Sequence, residues 1–108
     1  MTEQTVWMLY STFATRDEAL SAANRLLEQR LIACGTVLDG ATSVYRWQGE
    51  MRRDKESVLL AKTQSSCVVA AIAALKALHP YEVPAICAYP AGQAFAPFAQ
   101  WVTDETSA

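Results

Sequence analysis

The sequence contains few cysteines, little charge and no long apolar run, and each shortage argues against a class of protein. Its three cysteines are odd in number and widely spaced, with no Cys-x-x-Cys or Cys-x-x-His pair, so neither a disulfide framework nor a closed structural zinc site is indicated. No apolar run approaches the roughly 18 residues that a membrane span needs. The net charge of −2 leaves no excess of positive charge to neutralise nucleic-acid phosphates. We therefore expect a cytoplasmic protein that binds neither a membrane nor a nucleic acid.

Sequence signatures of common enzymes are also missing. The chain has no Gly-x-Ser-x-Gly, no P-loop, no Gly-x-Gly-x-x-Gly and no His-Glu-x-x-His motif. It contains a single histidine, His79, so any acid–base step or borderline metal site near neutral pH would depend on that residue first. These absences predict a protein that is not an enzyme.

The sequence is instead rich in apolar residues. Of its 108 residues, 52% are hydrophobic and only 19% are charged, which is slightly apolar for a soluble monomer. The length predicts a single domain over 1–108, with a core that is adequate rather than large. The apolar surplus therefore predicts a buried interface between identical subunits.

Apolar patterning predicts an alternation of strands and helices. Short apolar runs rich in β-formers indicate strands, and apolar residues that recur every three or four positions indicate helices. Thr15 and Glu18 form a capping-box pattern at the start of the first helix, and Ser65 or Ser66 could cap the second, which His79-Pro80 ends. The expected strands are 6–12, 32–38 continued at 42–48, 57–62 and 85–89, and the expected helices are 16–30, 65–78 and 95–101.

Two connections in this pattern are less regular. Asp39-Gly40 fits either a tight hairpin turn or a kink within one long strand, and we favour the kink. The polar segment 49–54 predicts a hairpin loop, with the basic cluster Arg52, Arg53 and Lys55 at its solvated tip. The tail at 103–108 is expected to fray. The order of elements predicts an α+β fold, a ferredoxin-like split βαβ sandwich with a short C-terminal helix.

Four motifs along this pattern resemble those of the CutA family, and the resemblance extends over about 6–101. They are Leu-Ile-Ala-Cys at 31–34, Thr-Ser-Val-Tyr-Arg-Trp-Gln-Gly at 42–49, the segment 56–63 that ends in Ala-Lys-Thr, and His-Pro-Tyr-Glu-Val-Pro at 79–84. The resemblance implies a homotrimer whose sheets pack around a threefold axis, akin to the PII signalling proteins. It also implies a role in tolerance of copper and other divalent cations, with no obligatory cofactor.

The resemblance draws attention to a metal site around His79, whose imidazole could bind copper or another divalent ion. Glu82, three residues on, could add an oxygen ligand, and Cys34 could add a soft sulfur ligand. Each residue also has a structural alternative. His79 could simply terminate the helix, Glu82 could form a hydrogen bond across a subunit boundary, and Cys34 could be a buried, inert thiol.

The chain departs from the family pattern at two positions near this site. It has Ser11 and Leu78 where some bacterial relatives carry a cysteine and a second histidine that are proposed copper ligands. Cys67 and Cys87 lie in apolar surroundings and are expected to be core residues.

Aromatic and basic side chains indicate a second candidate surface. Tyr45 and Trp47 flank an arginine on the second strand, and these residue types favour protein interfaces. Together with Lys62 and Tyr81 they are expected at an interface or cleft between subunits. A cleft that binds a small molecule or partner would make the protein a PII-like regulatory trimer, which is our alternative to metal binding. A stable trimeric scaffold with no binding site is the third possibility.

Overall fold

The structure is a computed structural model, and it describes residues 6–107. Four strands and three helices follow one another in the order predicted, with one short 3₁₀ turn between the third strand and the second helix. The elements are β1 (Val6–Phe13), α1 (Arg16–Glu28), β2 (Cys34–Trp47), β3 (Glu50–Gln64), the 3₁₀ turn (Ser65–Cys67), α2 (Val68–Leu78), β4 (Ile86–Pro90) and α3 (Ala96–Glu105).

The four strands form one antiparallel sheet in the order β2-β3-β1-β4. Each half of the fold returns its second strand to the sheet by way of a helix, and the β2–β3 hairpin joins the halves. This arrangement confirms the predicted α+β, ferredoxin-like split βαβ fold. None of the helices within 6–107 is long and apolar enough to cross a membrane.

The core lies between one face of the sheet and the two long helices. Leu9 and Phe13 of β1 alternate with outward residues and point to this face, because successive strand residues point to opposite sides. Helix α1 covers them with a narrow buried face that consists of three alanines and one leucine, namely Ala19, Ala22, Ala23 and Leu26. Thr15 caps α1 as predicted, since its Oγ1 accepts a hydrogen bond of 3.1 Å from the Glu18 N–H.

The opposite face of the sheet is covered at one end by α3, where Val6 packs against Val102 and Gln64 binds Thr106. Within residues 6–107 the rest of it carries no helix, and we call it the helix-free face. Strand register places Tyr10, Leu60 and Cys87 side by side on it, and Leu38 and Tyr89, on the same face, are 51% and 49% exposed. Cys87 is therefore exposed in the chain, and the expectation that it is a core residue is wrong for a single subunit. Strand alternation decides this, since it turns the Cys87 side chain away from the helices.

Strand β2 bends in its middle, as predicted. Its pairing with β3 shifts between Leu38 and Ala41, and Gly40 has a φ of 82°, which a residue without a Cβ adopts at little cost. The favoured kink at Asp39-Gly40 is thus confirmed.

The β2–β3 hairpin turns earlier than expected. Its two turn residues are Gln48 and Gly49, with φ values of 51° and 83°, which is the pattern of a type I′ turn. The predicted loop at 49–54 is wrong because Glu50 already pairs with Trp47, so the three basic residues of the cluster lie within β3 rather than at the tip.

The C-terminal segment is also more ordered than expected. Helix α3 continues to Glu105, and Thr106 is buried, where its Oγ1 accepts a 2.8 Å hydrogen bond from Gln64 Nε2. Fraying is therefore wrong for 103–106, because a long-range polar contact anchors the last turn. The serine cap predicted for α2 is wrong as well: Ser65 and Ser66 form the 3₁₀ turn, and α2 begins at Val68 without a side-chain cap.

Candidate functional site

The candidate site lies where the C-terminal end of α2 meets the end of β1. Pro80 prevents α2 from continuing, and the residue before it, His79, leaves the helix with an extended backbone. The His79 ring is only 8% exposed and stacks on the Phe13 ring, with 4.2 Å between ring centroids and 14° between planes. The single histidine is thus packed against the last residue of the central strand.

Both ring nitrogens of His79 have partners. Nε2 lies 2.7 Å from the Thr12 carbonyl oxygen, which can only accept, so this nitrogen carries the proton. Nδ1 then has a free lone pair, and it accepts a hydrogen bond of 3.2 Å from the Tyr81 N–H. The backbone therefore selects one neutral tautomer and one ring orientation.

Tyr81 extends this network to an acidic residue. Its hydroxyl donates a hydrogen bond of 2.8 Å to Oε2 of Glu56, a carboxylate that is only 8% exposed. Burial raises the pKa of Tyr81 well above its usual value, and the hydrogen bond to Glu56 and the charges of Glu56 and Glu18 raise it further. Tyr81 thus remains a neutral donor throughout the physiological pH range.

A second tyrosine–carboxylate pair lies beside the first. The Tyr45 hydroxyl donates a hydrogen bond to Asp54, across the part of the β2–β3 hairpin that lies beyond the Gly40 kink. This hydrogen bond is the main cause of the raised pKa of Tyr45, and the charge of Glu56 adds to it. The hairpin therefore adds a second carboxylate to the environment of Tyr81 and Glu56.

The predicted residues divide between two ends of the sheet. Glu82 is exposed on the turn that follows His79, so these two expected ligands lie in the same segment. Cys34 and Lys62 face each other across β2 and β3, and Lys62 also pairs with Met8 of β1. Since His79 binds the backbone of Thr12, four residues further along β1, Cys34 and His79 lie roughly 13 Å or more apart at about 3.3 Å per strand residue.

The remaining predicted residues lie on the hairpin and on β3. Trp47 ends β2 next to the turn and is partly exposed, and the Lys62 ammonium donates to Thr36 Oγ1 at 3.2 Å. Tyr45 and Tyr81 share the acidic end of the sheet, whereas Lys62 does not. Within 6–107, no three His, Cys, Asp or Glu side chains form a group that could hold a metal ion.

Sequence reasoning gave no role to Glu56 or Asp54, although both belong to the network around Tyr81. The signal for Glu56 was its position directly before the apolar run that starts at Ser57, which suggests partial burial. A largely buried glutamate needs a hydrogen-bond donor, so a partner for Glu56 could have been expected. Its donor, Tyr81, lies 25 residues away in the sequence, and no local pattern links the two.

Comparison with known proteins identifies the family to which this arrangement belongs. The family model described as CutA1 divalent ion tolerance protein matches residues 7–105. The divalent-cation tolerance protein CutA of Thermus thermophilus is 39% identical over 88% of this chain and 92% of its own length. The human protein CutA is 39% identical over 82% of this chain, and the chain spans only about half of that relative, 49% of its length.

Solved structures agree with these sequence relatives. The crystal structure of divalent ion tolerance protein CutA1 from Ehrlichia chaffeensis superposes with a TM-score of 0.93 at 36% identity, covering 99% of this chain and 100% of the other. The Xylella fastidiosa CutA structure gives a TM-score of 0.92 at 37% identity, covering 94% and 98%. On both the sequence match and the shared fold, the chain belongs to the CutA1 divalent ion tolerance protein family.

Proposed function

We propose that this chain is a divalent-cation tolerance protein that binds a metal ion, copper foremost, weakly and without catalysis. The observation that carries the proposal is the orientation of His79. Its Nε2–H is held by the Thr12 carbonyl, which directs the Nδ1 lone pair toward the turn that carries Glu82. A backbone carbonyl that fixes the second ring nitrogen is a common support for metal-binding histidines.

The same geometry explains why binding would be weak. A metal ion at Nδ1 has to replace the 3.2 Å hydrogen bond from the Tyr81 N–H, so the 79–82 turn must open slightly. Glu82 on this turn supplies an oxygen ligand, and Glu56 supplies negative charge nearby. Imidazole with carboxylate oxygen suits copper(II) and zinc(II) better than the harder calcium ion.

We further propose that the protein acts as a cytoplasmic homotrimer. The number three comes from the family resemblance. The helix-free face of the sheet supports association, because a sheet with one uncovered apolar face normally buries it against another layer. Cys34 is separated from His79 within one chain, so it would join this metal site only from a neighbouring subunit.

Calorimetric titration of copper(II) and zinc(II) into the purified protein tests the metal site, with the mass measured by light scattering on the same sample. Micromolar or weaker binding is expected for wild type and none for His79→Ala. His79→Gln is the matched variant, since its amide nitrogen can still donate to the Thr12 carbonyl while the imidazole lone pair is lost. Copper binding by His79→Gln equal to that of wild type would refute His79 as a ligand.

A regulatory trimer is the second candidate function, and one observation favours it. Tyr45 and Trp47 are partly exposed on a hairpin that extends beyond the rest of the sheet, while Lys62 lies at the sheet's other end. A cleft that contains all three therefore needs more than one chain. A thermal-shift screen of nucleotides and metabolites is expected to show stabilisation that Tyr45→Ala and Lys62→Ala abolish, and no stabilisation by any compound would argue against this function.

A further inference from the structure

A small cavity lies on the helix layer, between the first turns of α1 and the end of α2. Its volume is about 200 Å³, and it is lined by Glu18, Ser21 and Ala22 of α1 and by Leu78 and Pro80. The three α1 residues share one helix face because they are spaced at i, i+3 and i+4. None of these five residues belongs to the metal or cleft residues of the proposed function.

Glu18, one of the residues that line this cavity, has a carboxylate oxygen without a hydrogen-bond partner among residues 6–107. The sequence pattern at Thr15 and Glu18 predicts a reciprocal capping box, but only half of it forms. Thr15 accepts from the Glu18 N–H, whereas Glu18 Oε1 is shielded from solvent and finds no hydrogen-bond partner within the part of the chain that the structure describes. A buried carboxylate oxygen without a donor is costly, so a ligand that supplies a donor would be favoured.

The end of α2 gives this cavity an attraction for positive charge. The helix dipole is negative there and the last carbonyls lack intrahelical partners, whereas the positive dipole end of α1, beside Glu18, acts in the opposite sense. Pro80 follows there and has no N–H to offer. The charge of Glu18 also extends to Tyr81, whose raised pKa has that charge among its causes.

The shape and the remaining lining define the class of cation. A divalent metal ion takes about six or more oxygen ligands, and this cavity offers one carboxylate and one hydroxyl. Ala22, Leu78 and Pro80 instead give it apolar walls. A cavity of about 150 Å³ is large enough for benzene, so about 200 Å³ accommodates an alkyl chain of four or five carbons.

From this combination we propose that the cavity is a binding site for a small primary alkylammonium ion. The ammonium group donates to the Glu18 carboxylate and to the Ser21 hydroxyl, and the alkyl chain packs on Leu78 and Pro80. The carboxylate shifts enough for its shielded oxygen to accept the ligand's N–H. None of the residues that line this cavity is a proposed metal ligand, and Pro80 is the one that belongs to the 79–82 turn.

Titration of the full chain with n-butylammonium chloride, followed by the backbone amide NMR signals of residues 18–22 and 78, tests the proposal. Saturable shifts are expected at millimolar concentration, which is what a ligand of five heavy atoms can achieve. The neutral isostere 1-butanol and the anion butyrate are expected to leave these signals unchanged. Equal binding of 1-butanol would overturn the proposal, because it would mean that the cavity recognises only the alkyl chain.

Three variants make the test specific to the carboxylate. Glu18→Gln is expected to weaken n-butylammonium binding by about tenfold or more, because a charge-assisted hydrogen bond is lost. Asp17→Asn is the matched control, since it removes the same charge from an exposed neighbour that does not line the cavity, and its affinity should stay within about twofold of wild type by the weakness of exposed charges. Ser21→Trp, at an exposed position on the rim, should block the cavity without disturbing the core.

Two results would contradict the assignment. One is the absence of saturable shifts in wild type up to high millimolar concentration, and the other is unchanged affinity in both Glu18→Gln and Ser21→Trp. If Glu18→Gln fails to fold, Ser21→Trp still decides the outcome, because it alters neither the charge nor the cap of α1.

Discussion

Two buried serines on adjacent strands show how one hydrogen bond decides whether a buried polar residue stabilises or destabilises the fold. Ser11 of β1 and Ser57 of β3 both face the helices, and both are at most 1% exposed. Ser57 donates a 2.7 Å hydrogen bond to Asp39, whereas the Ser11 hydroxyl has no partner among the residues that the structure describes. The hydroxyl of Ser57 therefore forms a hydrogen bond and that of Ser11 does not, although the sequence gives no sign of this difference.

Opposite effects on stability are therefore expected from the two alanine variants. Ser11→Ala should raise the free energy of unfolding by about 1 kcal/mol, because it removes an unpaired buried hydroxyl. Ser57→Ala should lower it, because Asp39 loses the hydrogen bond that is the main cause of its lowered pKa. Denaturant unfolding of both variants measures this, and destabilisation by Ser11→Ala would mean that its hydroxyl has a partner after all.

The Ser57 effect should also depend on pH. The pKa of Asp39 is lowered from its ordinary value of 3.8, so the stabilisation is present above that value and is lost as the pH falls below it. The difference in stability between wild type and Ser57→Ala should shrink accordingly in acid.

At the scale of the elements, the β2–β3 hairpin depends on the conformation of its two turn residues. Gly49 has a φ of 83°, and a Cβ at this position would lie more than 4 Å from every other group described in 6–107, so the strain of a substitution comes from the backbone. Gly49→Ala should lower the free energy of unfolding by roughly 1 kcal/mol. Gln48→Gly is the matched control. Glycine relieves the strain of the positive φ in the folded chain but makes the unfolded chain more flexible, so the two effects on the free energy of unfolding should nearly cancel. Equal unfolding midpoints for wild type and Gly49→Ala would argue against a type I′ turn.

The same hairpin shows where sequence reasoning succeeds and fails within an element. The kink at Gly40 was the favoured one of two alternatives, because strand-like segments lie on both sides of Asp39-Gly40. The turn at Gln48–Gly49 was misplaced because the segment 49–54, in which four of six residues are charged, was interpreted as a loop. Their strand conformation comes from pairing with β2, and pairing across strands overrides local polarity when the turn geometry fixes the register.

For the whole molecule, the helix-free face of the sheet is the expected subunit interface. Leu60→Glu places a charge at its centre, opposite Tyr10, and should reduce the mass in light scattering from about three times 11.8 kDa toward that of one chain. Leu27→Glu on the exposed side of α1 is the control and should leave the mass unchanged. An unchanged mass for Leu60→Glu would assign the interface to another surface.

The sequence by itself determined the order and type of the elements and the family, because these depend on local periodicity, on single glycines and prolines, or on short motifs. It left a kink and a hairpin turn open at Asp39-Gly40, and strand pairing decided for the kink. Only the tertiary structure decided which side chains meet. It paired Tyr81 with Glu56, separated Cys34 from His79 and anchored Thr106 on Gln64. Within 6–107 it also left the Ser11 hydroxyl and Glu18 Oε1 without partners. These outcomes depend on contacts between residues distant along the chain, and strand register and helix packing set them where local pattern carries no information.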